Sequence, residues 1–299
     1  MIRITIACLV LSLAACQPAT ESPTKASPES APATEPAVEQ DRLAAVLSAQ
    51  PEDVQARYQY RHPQETLEFF EIEPGMTLVE GLPGRGWYTK LLLPYLGKNG
   101  HLIGANYALD MWPNFPFGTE EFVEKMRTWT TDWPAEAEEW RADDSATVAA
   151  FIFGSMPDSL AGTADVVFHA RVLHNLANFE EEGEYLTAAL ADSFAVLKPG
   201  GTLGIVQHHA RDEMPDEFAD GSHGYLKQSF VIAVVEQAGF EFVAAADFNA
   251  NSKDQPTADD IVWRLPPSLV TSAEDPELKA EMEAIGESNR MTLKFRKPN

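Results

Sequence analysis

The run from Met76 to Leu96 constrains the fold of this chain more than any other. Met76-Thr77-Leu78-Val79-Glu80 has the apolar character of a short strand; Gly81, Pro83, Gly84 and Gly86 follow, and helical apolar spacing then carries on from Trp87 to Leu96. Glycines at such a turn let the backbone come close to a ligand, and the helix behind it points its free N–H groups at the same place. Pro74-Gly75 marks the turn that feeds the strand.

The rest of the chain repeats the alternation. Apolar runs predict further strands at 100–106, 148–153, 164–169, 202–207, 240–245 and 291–295. Helical spacing predicts two or three helices over 41–72, one over 180–197 and one over 225–238. Residues 110–147 hold Trp112, Trp129, Trp133 and Trp140 among many acids and read as an amphipathic helical insertion, whose tryptophans fill core under a lid or line an aromatic mouth. Residues 247–290 read as a long polar excursion. Strands without polar alternation, separated by helices, imply an α/β fold with a mostly parallel sheet covered on both faces.

The N-terminus reads as an address. Residues 1–16 have a basic start at Arg3, an apolar run to Leu13 and then Ala14-Ala15-Cys16, the layout of a secretory signal too short to anchor in a bilayer. Leu13-Ala14-Ala15-Cys16 resembles the bacterial lipobox. That resemblance implies that Cys16 is lipidated and becomes the mature N-terminus, with Gln17 in place of Asp implying an outer-membrane destination facing the periplasm. The other reading is an ordinary cleaved signal with Cys16 incidental. Residues 17–40 are dominated by Pro, Ala, Ser, Thr and Glu and are expected to form a disordered tether, which leaves 41–299 as the folded domain.

Composition excludes several function classes. With 22 Lys and Arg against 46 Asp and Glu, the net charge of −24 repels a phosphate backbone, so nucleic acid is not an expected partner. The two cysteines, Cys8 and Cys16, both sit in the address, so the folded body carries no thiol nucleophile, disulfide or zinc thiolate. His208-His209 and the scattered acids lack a metal-ligand spacing, and no metal is expected.

The glycine loop alone fits a dinucleotide or S-adenosylmethionine equally. Glu80-Gly81-Leu82-Pro83-Gly84-Arg85-Gly86 resembles the acidic-x-Gly-x-Gly-x-Gly signature of class I S-adenosylmethionine-dependent methyltransferases, and Leu197-Lys198-Pro199-Gly200-Gly201-Thr202-Leu203 resembles their turn before strand five. Glu236-Gln237-Ala238-Gly239-Phe240 before strand six is a third match. Arg61-His62-Pro63-Gln64-Glu65-Thr66-Leu67, Pro83-Gly84-Arg85-Gly86-Trp87-Tyr88-Thr89 and Phe295-Arg296-Lys297-Pro298 resemble, more narrowly, a group of exported bacterial proteins of that superfamily. The resemblance implies a Rossmann-like seven-stranded sheet with an antiparallel last strand. It also implies S-adenosylmethionine as cofactor, touched by Glu80, Gly81, Pro83, Gly84, Gly86 and Asn106. Three positions depart from the pattern: Leu82 stands for a glycine, Asn106 for a ribose-holding acid, and Gln207 for a frequent Asp.

Methyl transfer needs alignment first, and a general base only when the nucleophile carries a proton. His174 follows strand four and His208 strand five, both at the carboxyl edge where such sheets bind ligands, so these are the candidate bases or substrate contacts. Tyr88, Arg171, Asn175 and Tyr225 are the candidate substrate contacts. The functional expectation is an enzyme that methylates a small molecule and meets the membrane only through its lipid. A non-catalytic ligand-binding lipoprotein on the same fold is the alternative, and an NAD-dependent oxidoreductase comes third. The sequence leaves the oligomeric state open.

Overall fold

The computed structural model describes residues 35–299, with side chains from Arg42 onward. The signal segment, Cys16 and the tether as far as residue 34 lie outside the described residues. The first helix spans Glu35–Ser48, so residues 35–40, which composition assigns to the tether, are helical.

Seven strands form one sheet: β1 (Thr77–Gly81), β2 (His101–Asn106), β3 (Thr147–Ile152), β4 (Ala164–Ala170), β5 (Leu197–His208), β6 (Glu241–Ala246) and β7 (Arg290–Arg296), in the order β3-β2-β1-β4-β5-β7-β6. The pairs β1·β2, β1·β4, β2·β3 and β4·β5 are parallel, whereas β7 runs antiparallel to both β5 and β6. The Rossmann-like sheet with an antiparallel last strand is therefore as the sequence implied.

Successive residues along the central strands point to opposite faces, and each face has its own core. Val79, Ile103, Val167 and Leu203 pack on one side with Leu173, Leu186, Leu190 and Val231 from the helices Leu173–Asn178, Tyr185–Val196 and Gln228–Gln237. Leu78, Leu102, Val166 and Phe168 pack on the other with Leu43, Leu67, Leu91 and Leu92 from Glu35–Ser48, Pro63–Phe69 and Thr89–Leu96. Burying each such side chain contributes roughly 1.5–3 kcal/mol, which is why neither face of the sheet can stay open.

The two insertions have different roles. In the first, Thr119 Oγ1 accepts from Phe122 N–H and caps the helix Glu120–Met126, and the helix Trp129–Glu138 lays Trp133 against Gly104 of β2. A Cβ at Gly104 would stand 2.5 Å from that ring. The second, 247–290, contains a 3-10 turn (Val262–Arg264) and the helix Pro276–Ile285, and it is not the solvated excursion its polarity suggests. Asn249, Asp254, Arg264, Glu287 and Ser288 are buried, and Asp254 accepts from Tyr225 Oη, Arg264 Nη2 and the Asn289 N–H at 2.8–3.2 Å. Among the described residues no helix is long and apolar enough to cross a membrane.

Candidate functional site

From β1 the chain moves outward to β2 and β3 and then returns to β4 on β1's other flank, so the strand order reverses between the carboxyl ends of β1 and β4. A cavity of about 360 Å³ opens there. Its floor is the loop Leu82–Arg85 with Trp87, the residues Ala170, Arg171, His174 and Asn175 after β4, and His208 at the end of β5. Arg57 and Arg61 form one side, Glu287, Ser288 and Arg290 another, and the segment from Val262 to Ser268 the roof.

The direction of β7 is what completes this site. An antiparallel strand starts where its parallel neighbours end, so Arg290 at the head of β7 pairs with His208 at the tail of β5. Glu287 and Ser288, just before it, reach the same edge. Glu287 is the hub: Arg57 Nε donates to it at 2.7 Å, Arg61 Nε at 3.3 Å, and Arg290 Nη2 bonds its second oxygen. Burial pushes its carboxyl up, but four guanidinium groups, of Arg290, Arg61, Arg57 and Arg171, outweigh it and hold the pKa down to about 2.

The loop is built on Glu80. Its carboxylate accepts from Thr89 Oγ1 at 2.7 Å and from the Thr89 N–H, tying the end of β1 to the start of the following helix. Leu82 takes a left-handed φ of 49° and donates its N–H to Ala105 O at 2.7 Å. Gly84 has φ 57°, and a Cβ there would meet nothing nearer than Leu82 O at 3.8 Å, so its cavity side is open. Gly86 differs: a Cβ would lie 2.3 Å from the Trp140 ring.

His174 and His208 face each other with ring centroids 5.3 Å apart, both buried and both held neutral by desolvation, His174 down at about 4. Gln207 Nε2 donates to Gly224 O at 3.3 Å, and its amide lies against His174 Nδ1, with Nε2 at 3.3 Å and Oε1 at 3.5 Å. Ser288 Oγ accepts from Arg290 Nε at 3.3 Å and shares a 2.6 Å hydrogen bond with His208 Nδ1. Both rings thus have Nδ1 engaged within the protein.

A second cavity, of about 580 Å³, lies beside the ends of β2 and β3, lined by Tyr107, Asp110, Trp112 and Ile152 among others. It shares no lining residue with the first. Tyr107 stands between them: it is buried, its hydroxyl donates to Val172 O at 3.1 Å, and Asn175 Nδ2 donates to that hydroxyl at 3.3 Å. The bond runs from the end of β2 to the turn after β4, across the end of β1.

The expected site residues divide accordingly. His174, His208, Pro83, Gly84, Arg171 and Asn175 line the first cavity. The others lie elsewhere. Glu80 braces the loop from below, and Gly81 makes room for the His169 ring on the paired strand, 2.2 Å from where a Cβ would be. Gly86 lies under Trp140, and Asn106 Oδ1 accepts from the Tyr107 N–H at 2.9 Å. Tyr88 is buried with its hydroxyl 3.4 Å from Arg61 O, and Tyr225 is buried on Asp254. The tryptophans of 110–147 do not reach this cavity; Trp87 and Trp263 do. Sequence reasoning missed Arg57, Glu287, Ser288 and Arg290, which carry no local motif and meet only through β7.

No protein-family model matches the chain, and no curated protein matches it. Solved structures similar to it include a SAM-dependent methyltransferase from Aquifex aeolicus (18% identity, 69% of this chain and 92% of that one, TM-score 0.43). Others are the [4+2]-cyclase SpnF (14%, 80% of each chain, 0.48) and a Burkholderia thailandensis 1,6-didemethyltoxoflavin-N1-methyltransferase with bound S-adenosylhomocysteine (11%, 92% and 94%, 0.43). The narrower grouping with exported bacterial proteins is not supported by these matches.

Proposed function

We propose that the chain is an S-adenosylmethionine-dependent methyltransferase acting on a small molecule held in the cavity at the β1/β4 reversal. The observation that carries this reading is the open backbone of Gly84 beside His174 and His208, where a ligand's amino-acid end can approach the main chain between Pro83 and Arg85. Pro83 and Gly84 would hold that end of the cofactor, and the second cavity has room for a nucleoside once Tyr107 moves. When bound, the cofactor supplies an electrophilic methyl on a sulfonium. The chain's own residues position the acceptor: His174 and His208, neutral and with Nδ1 engaged by Gln207 and Ser288, have Nε2 left to bond and orient it.

A second reading has its own support. The Tyr107 bridge separates the two cavities, and Asn106 spends its acceptor on its neighbour's N–H, as in a fold that binds a ligand without transferring a group. Calorimetric titration of the chain with S-adenosylmethionine and S-adenosylhomocysteine separates the two. Micromolar binding that is lost in Gly84→Val supports the enzyme, and no binding at millimolar ligand supports the binding protein. By the same proposal the chain is held at the outer membrane through Cys16, and Cys16→Ser should move it from the membrane fraction to the soluble one.

A further inference from the structure

We propose that the cavity is a receptor for an oxyanion, a carboxylate or phosphate monoester, carried on a small apolar or aromatic body. This concerns the same cavity as the reading above but rests on its charges, and it holds with or without methyl transfer.

In a chain of net charge −24, five arginines line one cavity (Arg57, Arg61, Arg85, Arg171 and Arg290) against a single carboxylate, Glu287. Glu287 already accepts from Arg57, Arg61 and Arg290 and neutralises one positive charge among them. The Arg171 side chain makes no hydrogen bond or ion pair within the described residues, and Arg61 Nη1 is buried without a partner on a side chain only 3% exposed. Burial and the neighbouring guanidinium groups disfavour charge on both. A guanidinium does not relieve such strain by losing its proton, so the remedy open to it is an anion.

The geometry suits one. Arg171 is set at the cavity floor by a left-handed backbone, φ 62°, with its N–H fixed on Val206 O at 2.7 Å. Planar forks from separate elements converge there, which is how carboxylates and phosphates are gripped in two-pronged fashion. His174 and His208 add neutral hydrogen-bonding rings and no charge. Opposite these polar groups stand Val262, Trp263 and Leu265 of the roof, and Trp87 lies beside them in the floor, together an apolar surface for the body of the ligand. Arg61 lies 4.4 Å above the Trp87 ring and joins the two halves.

The test is calorimetry on the full chain, without cofactor, using phenyl phosphate, benzoate and the neutral benzamide. We expect at least one oxyanion to bind about tenfold or more tightly than benzamide, the tighter of the two naming the oxyanion class. Arg171→Gln should weaken that ligand roughly tenfold while melting no lower than the parent, because it removes a repelling charge and no bond. Arg85→Gln, on an exposed loop position, is expected to weaken it a few-fold with the fold untouched. Oxyanions that bind no better than benzamide, or full affinity retained in both variants, would overturn the proposal. Since no cofactor is present, either result leaves the cofactor titration to be judged by itself.

Discussion

Glu80 at the end of β1 and Thr89 at the head of the next helix are joined by a 2.7 Å hydrogen bond that closes the glycine loop from beneath. The carboxyl is fully enclosed, and desolvation raises its pKa from 4.5 to about 7 even though Thr89 pulls the other way. Glu80 is therefore a brace whose charge is costly, and the consequence is a dependence of stability on pH. The folded state keeps the proton that the unfolded state releases above 4.5. Stability from this group is complete below pH 4.5 and is lost as pH rises through about 7.

Glu80→Gln removes that titration. Between pH 5 and 8 the parent should lose on the order of 3 kcal/mol relative to the variant. Buried His174 and His208, neutral when folded, act in the opposite direction as pH falls through 6.5, but they are common to both proteins and cancel. Denaturant melts of both proteins at several pH values check this, and equal slopes would show that Glu80 is not the titrating group.

Glu287 has the reverse sign. Its pKa falls from 4.5 to about 2, so its stabilisation is present above pH 4.5 and is lost as pH drops toward 2. Glu287→Gln leaves Arg57, Arg61 and Arg290 facing one another, and at pH 7 it should cost roughly 3–5 kcal/mol. The same variant should lose less than the parent on going to pH 3. Urea unfolding at the two pH values measures both effects.

Gly84 and Gly86 should separate in behaviour although both have positive φ. At Gly84 an alanine enters open space and costs about 1–2 kcal/mol for its left-handed backbone, while crowding the cavity. At Gly86 it adds a clash with Trp140, and the cost should rise by several kcal/mol. Melting temperatures check the ranking. Gly84→Ala should fold and weaken S-adenosylhomocysteine binding, whereas Gly86→Ala should be visibly destabilised before any ligand is added.

Tyr107→Phe opens the bridge to Val172 O. Losing that hydroxyl should cost roughly 1–2 kcal/mol of stability, because a buried carbonyl gives up its donor. If the ring must swing aside for an extended cofactor, S-adenosylhomocysteine should bind up to about tenfold more tightly to the variant, the bond no longer opposing the move. Unchanged or weaker binding by calorimetry would show that the bridge is not a gate.

The sequence by itself determined the alternating strands and helices, the glycine loop and the edge at which a ligand site belongs. Those features are local: apolar runs, helical spacing and left-handed glycine are written within a few residues of one another. It also placed His174, His208, Arg171 and Asn175, because a residue just past a parallel strand stands at the carboxyl edge whatever the rest of the chain does. Tertiary structure alone decided that Glu80 points beneath the loop, that Tyr107 divides the cleft and that Trp140 covers Gly86. It also decided which charges share the cavity. Arg57, Arg171 and the Glu287–Arg290 pair lie far apart along the chain, and the pair reaches the cavity because β7 runs antiparallel beside β5. The balance of four such charges depends on strand direction and burial, which no local pattern of residues encodes.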